Sequence, residues 1–171
     1  MLDLIGYAAV IFSVISFLSM STFKMRIYGS ISVILFAISI YSYGGINGVF
    51  ISIISLIYKL LLLKYNEEQL KYIHYLSFPL AIIFFYFFNE EGYIGILPAI
   101  SLIFIMYADK QTSIVKMKYI YFGSAVSWLV YGVALGSIPA ITYDIVGISA
   151  LVYSTWKEKV KEYNAIIYLY K

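Results

Sequence analysis

Asp144 is the one acidic residue set well inside an apolar run of this sequence. Counted from Ser137 at roughly 1.5 Å per helical residue, it lies about 10 Å from the nearer end of that run. A carboxylate held there costs about 2.5 to 3.5 kcal/mol on the insertion scale, so it requires a polar cavity or a fixed partner. In a cavity it would bind a hydroxyl, an amine or a proton, which opens proton coupling as an expectation. With a fixed partner it would be structural, locking helices through a hydrogen bond from Tyr131, Trp128 or a serine. A candidate pocket therefore comprises Asp144, Trp128, Tyr131, Ser52 and Ser55. Trp128 offers a ring for stacking on a solute. Ser52 and Ser55 follow Gly48 at i+4 and i+7, a stripe that borders a pathway or merely lets helices approach closely. Asn47, next to a glycine turn, is expected to cap its helix.

Other chemistries find little support. The single histidine, His74, has no second ligand at metal spacing. No serine sits in a Gly-x-Ser-x-Gly setting, and no glycine-rich phosphate loop precedes a helix. Cysteine is absent, which removes thiolate metal sites and cysteine nucleophiles. Neither an enzyme, a metal nor a cofactor is expected.

The elements that position these residues are transmembrane helices. The chain is 63% hydrophobic and only 12% charged, with a mean hydropathy of +0.89, too few charges to solvate a globule of 171 residues. Runs long enough to cross the hydrocarbon layer fall at residues 2–20, 27–43, 46–63, 72–88, 92–107, 119–135 and 138–156. All 12 Lys and Arg residues then lie in the first, third and fifth connections, at adjoining helix ends, or in the tail. The other connections carry none. That asymmetry predicts an external N-terminus and a cytoplasmic C-terminus. Lys59, inside the third run, is expected to snorkel to the headgroups. The apolar stretch 165–170 is too short to span and is expected on the membrane surface or loosely ordered.

The runs divide into a first three-helix unit (1–64), a linker helix (65–91), a second three-helix unit (92–156) and a cytoplasmic tail (157–171). A weak internal repeat supports the division. Gly44 and Ile46 match Gly136 and Ile138 at an offset of 92 residues (138 − 46), whereas Gly29-Ser30 and Gly123-Ser124 imply 94 (123 − 29). A single span between units of three makes the repeats parallel, related by an axis along the membrane normal. The fold class is thus an all-α integral membrane protein of seven transmembrane helices in a 3+1+3 arrangement.

This arrangement looks like that of the SWEET and PQ-loop transporters. A closer resemblance is to the YgjV-type bacterial inner membrane protein family. It is carried by Ser127-Trp128-Leu129-Val130-Tyr131, then Gly136-Ser137 and the intramembrane Asp144. No Pro-Gln pair is present, and Pro98 alone matches the SWEET prolines. The resemblance implies the fold more than a sugar substrate. Together these features predict a small-solute transporter of the inner membrane working by alternating access on a small polar solute. The alternative is a non-transporting scaffold or sensor with a dry helix interface. Membrane lipids are expected partners, since the lysine cluster suits anionic headgroups. Nucleic acid is not, because orientation already explains those charges.

Overall fold

The computed structural model describes residues 2–65, 76, 79, 82, 83, 85–87, 89, 91–111 and 113–169, with side chains to residue 160. It is helical throughout: α1 (Leu2–Leu18), α2 (Thr22–Tyr41), α3 (Ile46–Lys64), a 3-10 turn (Gly92–Gly95), α4 (Ile96–Asp109), α5 (Ile114–Ala134) and α6 (Ile138–Leu169). Most of the fourth expected span, His74 included, lies outside the described residues, although 76, 79, 82, 83 and 85–87 are helical.

Four helical stretches among the described residues are long and apolar enough to cross a membrane, and α1 is a shorter apolar helix. Large aliphatic side chains such as Ile11, Ile38, Ile57, Ile103 and Val152 face outward, whereas Ser13, Ser32, Ser55, Ser101, Ser124 and Asp144 are buried. Water would demand the reverse polarity. Hydrocarbon outside and polar groups satisfied inside is the logic of a bilayer.

Neighbouring helices pack in a closed ring, α1–α2–α3–α4–α5–α6 and back to α1. Both glycine turns lie at one end. Gly44 and Gly136 adopt φ values of +79° and +66°, and each turn closes with the same bond, Gly45 N to Ile40 O (3.2 Å) and Ser137 N to Gly132 O (3.0 Å). This left-handed glycine ending is the Schellman pattern. At the other, basic end Arg26 of α2 reaches the Asp109 carbonyl of α4 at 3.2 Å.

Three boundaries differ from expectation. Helices α2 and α5 begin at Thr22 and Ile114, about a turn before the apolar runs. Lys and Arg are good helix formers and extend the first turn beyond the hydrocarbon. The expected tail at 157–171 is not separate, because α6 continues without a break to Leu169. Its Lys-Glu-Lys segment also favours helix, and Glu158 is buried against α5. Lys59 does not snorkel. It is 7% exposed, since α3 runs on to Lys64 and Lys59 shares the inner face with Ser52 and Ser55 at i+7 and i+4.

The offset of 92 residues relates α2 to α5 and α3 to α6. Thr22 and Ile114 begin α2 and α5, and Ile46 and Ile138 begin α3 and α6. Equivalent contacts recur: Ser32 Oγ donates to Ala9 O at 2.9 Å, and Ser124 Oγ bonds Ser101 Oγ at 2.7 Å. The offset of 94 places no such pairs together, and Gly29 instead makes room for Ser16 and the Lys59 ammonium.

Candidate functional site

The ring encloses a cavity of about 60 Å³ to which every helix contributes: Phe17 from α1, Phe36 from α2, Ser52, Ser55 and Lys59 from α3, Ile105 from α4, Trp128 from α5 and Asp144 from α6. Four pairs at the 92-residue offset line it together: Val33 with Ala125, Phe36 with Trp128, Ser52 with Asp144, and Ser55 with Gly147. Phe36 and Trp128 touch edge to face, with ring centroids 5.1 Å apart.

Asp144 is 2% exposed, and its Oδ2 has no hydrogen-bond partner among the described residues. The Ser55 Oγ is likewise unpartnered there. Tyr143, beside Asp144, is engaged elsewhere: its hydroxyl lies 2.9 Å from Ser32 Oγ, whose own proton goes to Ala9 O. Buried polar atoms are seldom left without partners. Two unpartnered oxygens bordering one void point to something polar filling it, water at the least.

Of the five candidate residues, Asp144, Trp128, Ser52 and Ser55 meet at this cavity. Tyr131 does not. Its ring packs against Trp128 at 5.6 Å, while its hydroxyl donates to Glu91 Oε2 at 2.7 Å and accepts from Gly48 N at 3.0 Å. Tyr131 is three residues, just under a helical turn, nearer the glycine-turn end than Trp128, so it belongs to a layer above the cavity. Glu91 also accepts from Asn47 N at 2.9 Å, and Asn47 Nδ2 donates to Asn89 Oδ1 at 2.6 Å. Asn47 therefore does not cap α3. The Glu91 carboxylate does so, as an anion at a helix N-terminus. This network joins α3 to α5 and closes the glycine-turn end.

The basic end is closed by charge. Tyr121, which lines the cavity, donates to Asp109 Oδ1 at 2.9 Å. Arg26 reaches the carbonyls of Leu62 and Asp109 at 3.3 and 3.2 Å. Lys118 and Glu158 form a buried pair at 2.8 Å. Asp144 is consequently not the only interior acid, as Asp109 and Glu158 are 0% and 5% exposed. Asp109 ends α4 and Glu158 lies in the continuation of α6, stretches that hydropathy assigns to a loop and a tail. Among the described residues no group of acidic or histidine side chains is arranged to hold a metal.

Several of these residues were detectable in a motif. Ser21-x-x-Lys24-Met25-Arg26 and Ser113-x-x-Lys116-Met117-Lys118 recur at the 92-residue offset, each beginning a helix after a serine and burying its methionine. Alignment on that motif pairs Ser52 with Asp144. The face shared by Ser52, Ser55 and Lys59 is also visible as helical spacing.

No curated protein and no solved structure matches the chain. A family model described as bacterial inner membrane protein matches residues 1–162. Its span includes every residue bordering the cavity, and the chain belongs to this Imp-YgjV family of bacterial inner membrane proteins.

Proposed function

We propose that the protein is a small-solute carrier in which the two three-helix units rock about the shared cavity, giving alternating access. Asp144 supports this reading most. A buried carboxylate with an unpartnered oxygen, beside a void lined by all six helices, is costly unless it engages a solute or proton during the cycle. Ser52, Ser55 and Trp128 complete the binding surface, and Tyr131 acts on it from the gate above. The Glu91–Tyr131 network and the Asp109–Tyr121–Arg26 cluster are the two gates of an occluded state.

A SWEET-like 3+1+3 plan suits this cycle. The described chain leaves the basic end at Tyr65 and is next found at the glycine-turn end at Asn89, with 76, 79, 82, 83 and 85–87 helical between them. The basic end faces the cytoplasm by the positive-inside rule, and its lysines attract anionic lipids. The competing reading is a scaffold or sensor with a dry interface, favoured by the small size of the void. Purified protein screened by thermal shift against sugars, nucleosides, vitamins and organic acids separates the two, because a ligand of the folded state raises the unfolding temperature. A carrier gives a response that Asp144→Asn removes while the variant stays folded. Silence across the panel, with Asp144→Asn affecting stability alone, supports the scaffold.

A further inference from the structure

We infer that the cavity is built for a small zwitterion, with the ligand's ammonium held by Asp144 and its carboxylate by Lys59; this rests on the carrier reading. Lys59 is the charge that hydropathy assigns to the headgroups and that the fold instead brings inside. It borders the main cavity and also a smaller adjoining chamber of about 30 Å³. Its Nζ lies 5.7 Å from the centroid of the Tyr121 ring and 3.6 Å from where a Cβ on Gly29 would stand. It forms no ion pair with a described residue. Asp109 attracts it from the basic end, but that carboxyl already accepts the Tyr121 hydroxyl.

One void is therefore bordered by a buried lysine and a buried aspartate that do not pair with each other. Either charge alone is expensive in this setting. A purely cationic ligand gains from Asp144 and is repelled by Lys59, and a purely anionic ligand meets the opposite difficulty. A molecule carrying both charges satisfies both groups. The spacing agrees. Lys59 is 13 residues beyond Ile46 (59 − 46) and Asp144 is six beyond Ile138 (144 − 138), and these helices start at the same end. The Cα atoms are offset by about 10 Å along the helix axes. The Cα–Cβ bond of a helical residue tilts toward the helix N-terminus, which for Lys59 is the end nearer Asp144. The void, about 60 Å³, is several times what a single buried water requires.

The test uses the full-length protein in detergent, with glycine, L-alanine and β-alanine as zwitterions, methylamine and acetate as half-ligands, and glycerol as an uncharged control. Isothermal titration and thermal unfolding should show binding of at least one zwitterion at least tenfold tighter than of either half-ligand. Lys59→Met should lose zwitterion binding and gain methylamine; Asp144→Asn should lose it and gain acetate. Lys59→Arg and Asp144→Glu keep the charges and should retain it, a comparison that stands if a neutralised variant fails to fold. Wild-type protein that binds no zwitterion better than methylamine or acetate overturns the inference, as do variants with unchanged ligand preference. Counterflow in proteoliposomes separates this result from the carrier reading. Zwitterion binding without counterflow removes the carrier and keeps the site; counterflow of glycerol but of no zwitterion keeps the carrier and removes the inference.

Discussion

Ser52 on α3 and Asp144 on α6 each stand six residues beyond the isoleucine that begins the helix, and both border the central cavity. The repeat places a hydroxyl on α3 where it places a carboxylate on α6. Phe36 and Trp128, also 92 residues apart, touch with ring centroids at 5.1 Å and line the same void. At that offset the charges differ, since Lys59 is matched by Leu151 and Ser52 by Asp144.

That asymmetry makes the acid movable. Ser52→Asp alone puts two carboxylates in one void and should destabilise the fold by about 2.5 to 3.5 kcal/mol, the cost of one further intramembrane acid. Combining it with Asp144→Ser restores a single acid at the equivalent position and should recover most of the loss. Thermal unfolding of both variants in detergent decides this. A double variant no more stable than Ser52→Asp alone would show that the positions are not equivalent.

The Lys118–Glu158 pair, with side chains 0% and 7% exposed, fastens the continuation of α6 to α5. Lys118→Met or Glu158→Gln alone strands a buried partner and should cost about 3 to 5 kcal/mol. Lys118→Met combined with Glu158→Leu should be close to neutral, as replacing a buried pair by apolar groups often is. Chemical or thermal denaturation of the three variants gives the coupling directly.

Apolar run length and basic-residue asymmetry carried most of the architecture, because a helix must be long enough to cross and charged groups resist crossing. Both arguments weaken at helix ends. There the backbone stays helical while the side chains turn polar, so Lys24, Arg26, Lys116 and Lys118 read as loop though they lie in first turns. The same effect concealed Asp109 and Glu158 as interior acids. At the site, Asp144, Ser52, Ser55 and Trp128 were legible from polarity within apolar runs and from spacing. Tyr131 was misplaced because it differs from Trp128 by under a turn, and only its Glu91 partner, distant in sequence, fixes its layer. Lys59 was misread because snorkelling depends on which face of the helix is buried, a matter of tertiary packing.

Tyr131 ties the glycine-turn end through two hydrogen bonds, to Glu91 Oε2 and from Gly48 N. Tyr131→Phe leaves both groups short of a partner and should cost about 1 to 3 kcal/mol. If this layer is a gate, the same substitution should open the cavity. The sequence contains no cysteine, so Ser55→Cys gives a unique reporter of access. A membrane-impermeant thiol reagent should modify Ser55→Cys several-fold faster in the Tyr131→Phe background. Equal rates in both backgrounds would assign the network to stability alone.

Gly48 N meets the Tyr131 hydroxyl at one end of the ring, and Arg26 meets the Asp109 carbonyl at the other. Lys24 and Lys116, both exposed, then share a membrane face, and Ser42 and Ala134, also exposed, share the opposite one. Single cysteines at these four positions, probed with an impermeant maleimide in intact cells and in inverted vesicles, report the face of each. Lys24→Cys and Lys116→Cys should react only from the cytoplasm, where Lys and Arg are retained, and Ser42→Cys and Ala134→Cys only from outside. Reaction of Lys24→Cys and Lys116→Cys from opposite faces would contradict the parallel units and with them the shared gates. Reversal of all four together would keep the architecture and invert only its orientation in the bilayer.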